Sequence, residues 1–173
     1  MPLPLHTPRL MIRPFTPDDV EAMHVLFSDP EVMRYIPRPP SQDIEESRPR
    51  VERHIRIHET YGYALWAIVE KASAMVIGDA GLIPFEGKGP EVEVGYHLRR
   101  DCWGKGYATE AAAECLRYGF EELRLPRILA VTFPENMASR RVLTKIGMTE
   151  QGMTRAYDFD CVLFEMKNPL ENG

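Results

Sequence analysis

Residues 9 to 15 (RLMIRPF) alternate between apolar and polar side chains, the period-2 mark of a strand with one face in a core. Thr16, Pro17, Asp18 and Asp19 follow in the order of a helix entrance: a cap, a proline in the first turn, then negative charge beside the positive end of the helix dipole. The pattern predicts a helix to about Phe27. Residues 28 to 40 (SDPEVMRYIPRPP) allow a short helical piece at most, because Pro37, Pro39 and Pro40 forbid continuation. From Ser41, the charged stretch SQDIEESRPRVERHIRIHETYG places Ile44, Val51, Ile55 and Ile57 at spacings that suit a helix ending near Gly62. Pro49 is expected to break or kink it.

Three runs rich in β-branched and aromatic residues come next: 63 to 70 (YALWAIVE), 75 to 85 (MVIGDAGLIPF) and 91 to 98 (EVEVGYHL). The intervening KASA and EGKGP supply turns, so the runs predict an antiparallel meander. Ala108, Ala112, Cys115, Gly119 and Leu123 then recur at helical spacing, with Ala111, Leu116 and Phe120 widening the buried face. Residues 127 to 133 (RILAVTF) form a nearly continuous apolar strand. Asn136 caps a further helix whose Val142, Leu143 and Ile146 precede Gly147. Strands around 149 to 156 and 160 to 167 complete an α/β pattern. No repeat, low-complexity segment or linker interrupts it, and one domain over residues 1–173 is expected.

Composition narrows the classes. Forty-four per cent of the 173 residues are hydrophobic, enough for one substantial core. With 21 basic against 26 acidic side chains, the net charge of −5 opposes a surface that tracks nucleic acid. Cys102, Cys115 and Cys161 form no CxxC pair and no secreted disulfide framework, so a reducing, cytoplasmic setting is the expectation. The opening MPLPLHTPRL lacks a signal-peptide plan, and the longest apolar run, residues 64 to 69, is too short to cross a bilayer.

The stretch DCWGKGYATEAA, residues 101 to 112, sets the chemical question. Paired glycines at a helix entrance let the backbone approach a ligand, and the free N–H groups of a helix N-terminus favour an anion. A Walker loop needs GxxxxGK with Ser or Thr, and a dinucleotide fingerprint needs GxGxxG, where Thr109 replaces the third glycine. Neither fits. The stretch closely resembles the coenzyme A diphosphate loop of the GNAT N-acetyltransferases, whose pattern is Gln or Arg, two residues, Gly, one residue, then Gly or Ala. Trp103, Gly106 and Ala108 stand in those places. WGKGYATEA, the opening TPRLMIRPFTPDD, WAIVEKASAMVIGDAGL, EVEVGYHL and ENMASRRVLTKIGM together resemble the branch of RimJ and RimL, ribosomal-protein alanine N-acetyltransferases. The likeness runs from about Thr7 to Met166.

This resemblance implies a GNAT fold: a mixed, mainly antiparallel central sheet of about seven strands flanked by helices, splayed between the family's fourth and fifth strands. It implies acetyl transfer from acetyl-CoA to a primary amine, such as a protein N-terminus or a small-molecule amine, without a metal. The diphosphate would sit on backbone amides of Trp103, Gly104, Lys105, Gly106, Tyr107, Ala108 and Thr109. A helix terminus contributes only about 0.3–2 kcal/mol to a bound anion, whereas micromolar affinity needs about 8 kcal/mol. The pantetheine arm supplies the remainder in the splayed gap, against backbone around Tyr96 and Leu98 and against Asn136, which also reads as a simple helix cap.

Glu93 lies on the same face of its strand as Gly95, opposite Val92 and Val94. By itself it reads as an exposed strand carboxylate; the family places its general base there, drawing the amine proton through water. The tyrosine with which many members protonate the departing thiolate aligns with Leu143. Ser139 stands where the RimL-like branch has a serine and is the alternative acid; it also reads as a helix-face serine bonded to backbone. Tyr35, the proline loop 37 to 40 and the turn 157 to 160 would form acceptor walls. The loss of the tyrosine keeps a second function open, a CoA-binding sensor or scaffold without turnover, and a Rossmann-like nucleotide binder ranks last. A homodimer is left open. His54 and His58, four apart, lack a third ligand for a metal; Cys102 has no sequence partner as a nucleophile; Glu110 reads as a first-turn helix acid.

Overall fold

The alternation that opens the chain becomes β2 (Leu10–Arg13), with Leu10 and Ile12 fully buried and Met11 and Arg13 partly exposed. The computed structural model describes residues 3–172. Ahead of β2, β1 (Leu5–His6) pairs as a two-residue edge strand. This raises the sheet to eight strands where about seven were expected. Prolines on both sides of Leu3 concealed the strand in the sequence, yet Leu5 is buried, and an edge position tolerates missing amide donors.

The remaining elements are α1 (Val20–Phe27), α2 (Pro30–Met33), α3 (Ile44–Tyr61), β3 (Leu65–Glu70), β4 (Met75–Pro84), β5 (Val92–Leu98), α4 (Tyr107–Glu121), β6 (Arg127–Thr132), α5 (Met137–Lys145), β7 (Thr149–Ala156) and β8 (Phe159–Lys167). The sheet order is β1-β2-β3-β4-β5-β6-β8-β7. Every neighbouring pair is antiparallel except β5 and β6, which run parallel and share a single registered pair, Glu93 with Leu129. Beyond that pair the rest of β5, through Tyr96 and Leu98, has no ladder partner on the β6 side. This opening is the splay that the resemblance implied.

Pro49 does not break α3. The helix is continuous over 18 residues, capped by the Asp43 carboxylate on the Glu46 amide and ended by Gly62 in the left-handed conformation. Pro49 forfeits one intrahelical bond, but it sits early in the helix, and fully buried Ser47 and Val51 hold that face against the core.

Two apolar cores flank the sheet. One, between the sheet and α4, includes Trp66, Leu82, Val94, Cys115, Phe120 and Ile128; the Trp66 ring meets Tyr118 edge-on at 5.5 Å, and its indole N–H donates to His58 Nδ1 at 3.3 Å. The other packs α1, α2 and α3 through Met23, Leu26, Phe27 and Val51 on Ala67, Val69 and Val76. Gly119 lets α4 approach the sheet: a Cβ there would lie 2.6 Å from Ile128 Cδ1 and 3.0 Å from Leu82 Cδ1. Among the described residues no helix is long and apolar enough to cross a membrane.

Candidate active site

Two features converge on β5: a helix entrance with free amides at its C-terminal end, and a buried carboxylate near its start. Gly104 and Gly106 adopt φ of +73° and +80°, turning the chain from β5 into α4. Gly106 caps α4 without any side-chain acceptor, and among the described residues the amides of Gly104, Lys105, Gly106, Tyr107, Ala108 and Thr109 make no hydrogen bond. The first amide within the helix ladder is that of Glu110, which donates to the Gly106 carbonyl. Such a row of outward N–H groups is a nest for an anion. A Cβ on Gly104 would meet nothing within 4 Å, so open space faces the loop at that point.

Trp103 departs from its expected part. Its amide closes a short turn onto the Arg100 carbonyl at 3.2 Å, and its indole N–H donates to the Leu98 carbonyl at 2.9 Å. The free cradle therefore starts at Gly104, and Leu98 offers a carbonyl that is already occupied. Tyr107 contributes only its amide, because its hydroxyl donates to Glu70 and its ring lies under the Arg9 guanidinium at 4.5 Å. Arg9, unforeseen here, clamps the loop: Nη1 donates to the Lys105 carbonyl at 2.8 Å and Nε to Glu110 at 2.7 Å. Glu110 also takes the Arg9 amide and the Thr7 hydroxyl, so it fastens the chain's opening to α4. Lys105, between the two glycines, is exposed.

Glu93 is 6% exposed, which overturns the reading of an exposed strand residue. Its Oε1 accepts from the Tyr157 hydroxyl, while Oε2 is buried without a partner among the described residues. Burial pushes the carboxyl up to about 7 against the opposing pull of the Tyr157 hydrogen bond, with Glu86 adding to the rise. Tyr157 and Asp158 form the two-residue β7–β8 turn at φ of +54° and +65°, a left-handed pair that glycine and asparagine usually fill. Glu86 fixes this turn: its amide donates to the Tyr157 hydroxyl at 3.0 Å, and its Oε1 accepts from the Tyr157 amide at 2.9 Å. Strained backbone thus aims one phenol at one carboxylate.

The same face of β5 carries His97, whose Nδ1 lies 2.7 Å from Asp79 Oδ1 on β4, directly across the ladder. Burial works against the imidazolium, but the Asp79 charge and hydrogen bond outweigh it, and Glu93 adds to them, so the His97 pKa is raised. The signal was present in the sequence: an aspartate inside an apolar strand requires a partner, and period 2 puts His97 on the face of Glu93.

On the opposite face, the Tyr96 hydroxyl reaches α5, 3.0 Å from Ser139 Oγ and 3.2 Å from its carbonyl. Burial pushes this phenol up to about 12, with the Ser139 hydrogen bond opposing. Asn136 Oδ1 caps α5 on the Ser139 amide at 3.1 Å, and Leu143, in the place of the family's acid, is 1% exposed in the core. Tyr35 packs tilted against Phe133 at a ring separation of 6.2 Å, Phe133 meets Phe159 edge-on at 5.3 Å, and Phe85 meets Tyr157 edge-on at 6.2 Å, so aromatic surfaces border the turn.

His54 and His58 are not brought together as ligands: His58 accepts the Trp66 indole, and burial holds His54 down near 4, hence neutral. No group of three metal-ligating side chains occurs among the described residues. Burial raises the Cys102 thiol, which suits an inert side chain.

A model of the acetyltransferase (GNAT) domain matches residues 9–149. YoaA of Bacillus subtilis, named as an uncharacterized N-acetyltransferase, is 33% identical over 173 residues, covering 96% of this chain and 98% of its own. The crystal structure of a GNAT-family acetyltransferase from Bacillus anthracis aligns with a TM-score of 0.82 at 30% identity, over 95% of this chain and 98% of that one. The ribosomal-protein-S5-alanine acetyltransferase of Vibrio fischeri shares the fold, with a TM-score of 0.79 at 21% identity over 97% and 98% of the two chains. With the domain model matched over most of its length and relatives at 30% identity or more covering nearly all of it, the chain belongs to the GNAT acetyltransferases, as an acetyl-CoA-dependent N-acyltransferase.

Proposed function

We propose that the chain moves an acetyl group from acetyl-CoA directly onto a primary amine, with Glu93 receiving the amine's proton. The observation that carries this reading is the carboxylate itself, buried, held through Oε1 by Tyr157 and bare at Oε2. A group titrating at about 7 is half ionised at neutral pH, where general-base catalysis is most effective. An α-amino group releases its proton at about 7.7–8.0 and a lysine at about 10.4. Transfer to Glu93 is therefore nearly level from an α-amine and steeply uphill from lysine. That match supports an α-amine acceptor, in keeping with the resemblance of WGKGYATEA to the RimJ and RimL branch.

Acetyl-CoA supplies the acyl group already activated as a thioester. The amides from Gly104 to Thr109 would hold its diphosphate, and Asn136 and the strand edge at Tyr96 would line the pantetheine gap. Ser139, backed by the Tyr96 hydroxyl, donates to the departing sulfur, since Leu143 has no proton to give. The Tyr96 phenol, pushed up to about 12, stays protonated at neutral pH and holds Ser139 through its hydrogen bond. Three free, buried cysteines suit a reducing compartment, and the reading places the activity in the cytoplasm.

The buried Leu143 favours a second reading, a CoA-binding sensor without turnover. Thiol release from acetyl-CoA over an amine panel, including peptides beginning with Ala, Ser and Met, separates the two. Release with at least one amine, lowered at neutral pH by Glu93→Gln, supports the transferase. Saturable CoA binding with no release across the panel decides for the sensor.

A further inference from the structure

Arginine pairing is uneven across the molecule. Arg9, Arg13, Arg48, Arg99, Arg100 and Arg127 all sit on carboxylates. Although the chain carries 26 acids against 21 bases, Arg53 on α3 has no acidic partner among the described residues. Among the described residues its electrostatic neighbours are Arg38, a like charge, the neutral His54 imidazole and the Tyr157 phenol, none of them an acid of the carboxylate kind. Half-buried and facing another guanidinium, it is held below its usual pKa, so its charge is poorly satisfied by the protein itself.

Position gives this charge a use. Arg53 lines a cleft of about 270 Å³ together with Arg56, Ile57, Ile83, Pro84 and Gly87. Ile83 is the ladder partner of Glu93, so the wall of the cleft and the buried carboxylate are cross-strand neighbours. The guanidinium lies beside Gly87, where a Cβ would be in ordinary contact with Arg53 Nη2 at 3.5 Å. Glu93 itself does not line the cleft but stands one strand over from its Ile83 wall, so an acceptor that reaches both the carboxylate and the Arg53 cation spans about 5 Å or more. An acceptor with a positive amine and a negative group several bonds apart fits both ends, and Arg presents the planar fork suited to carboxylate or phosphate.

We infer that the acceptor carries an anionic group, a carboxylate or phosphate several bonds from its reacting amine, and that Arg53 in the α3–β4 cleft binds it. This rests on the transferase reading and deepens it by naming the acceptor's second functional group. Both a peptide with an acidic residue near its N-terminus and a small amino acid with a distal acid offer this chemistry.

Matched acceptors test it. Thiol release would be measured for Ser-Glu against Ser-Gln dipeptide amides, and for the α-amino compounds glutamic acid α-amide against glutaminamide, with wild type, Arg53→Gln and Arg53→Lys. Wild type should prefer the acid of at least one pair tenfold or more in kcat/KM, chiefly through KM, and the favoured pair identifies the source. Arg53→Gln should erase that ratio and Arg53→Lys retain part of it. Equal rates for acid and amide in both pairs, or Arg53→Gln lowering both members by one factor, overturns the inference. If no amine turns over, the transferase reading fails on its own account, and calorimetry with glutamic acid α-amide and inorganic phosphate on the CoA-saturated protein decides the subsite. Binding that Arg53→Gln abolishes supports it, and no binding to wild type overturns it.

Discussion

The Tyr157 hydroxyl donates to Glu93 Oε1 across 64 positions of sequence, joining the β7–β8 turn to β5. The contact has two consequences. It makes the carboxyl more acidic than burial alone would leave it, and it occupies one oxygen so that only Oε2 is left without a partner among the described residues.

Tyr157→Phe keeps the ring and the Glu86 carboxylate's hold on the turn amide, but removes the hydroxyl that donates to Glu93 and accepts the Glu86 amide. The Glu93 carboxyl then loses the interaction that lowers its pKa, so the acidic limb of kcat/KM against pH should move from about 7 to higher values. A pH profile on any accepted amine reads this directly. An unmoved limb would show that the phenol does not tune the base.

Glu93 also makes stability depend on pH. Folded, the carboxyl holds its proton to about 7, whereas its ordinary value is 4.5, so the native state binds more protons between these limits. Stability therefore falls as pH climbs through that window, and the full penalty stands above it. Glu93→Gln should raise Tm at pH 8 by an amount equivalent to on the order of 2–3 kcal/mol, and change it little at pH 4. Equal effects at both pH values would contradict the burial of an ionised group.

Gly104→Ala tests the amide cradle. The new methyl meets no protein atom within 4 Å, so its intramolecular cost is confined to the positive φ, about 1–2 kcal/mol. It would stand in the space facing the loop. Calorimetry should show CoA affinity lowered at least tenfold while the protein remains folded by circular dichroism.

Asp79→Asn removes the charge facing His97. The raised His97 pKa means that the pair stabilises the fold fully below the usual histidine range and loses this contribution as pH rises through the folded value. The variant should lose roughly 1.5–3 kcal/mol at pH 6 and less at pH 9. The His97 ring-proton titration, followed by NMR, should move to lower pH.

Much of the architecture is legible along the chain, because β3, β4, β5 and β6 carry β-branched and apolar runs and α4 repeats its small residues at helical spacing. Those signals are local. Pro49 misleads because a rule about one lost hydrogen bond competes with the burial of Ser47 and Val51, and burial depends on neighbours far away in sequence. Glu93 is the sharper case: its place on a strand face follows from period 2, but its enclosure comes from Tyr157 and Glu86, reached only when the last hairpin closes. The glycine loop announces its free amides in GKG, whereas nothing adjacent to Trp103 tells that its indole turns back to Leu98.

With the proposed diphosphate seat on the glycine loop, the Arg9–Glu110 clamp gives the opening strand a stake in ligand affinity. Thr7 and Arg9 lie about a hundred residues before α4 yet brace the turn that presents its bare amides. Loosening β2 at the sheet's margin would unseat Arg9 from the Lys105 carbonyl and let the glycines sample other shapes, so cofactor retention would weaken before the core melts.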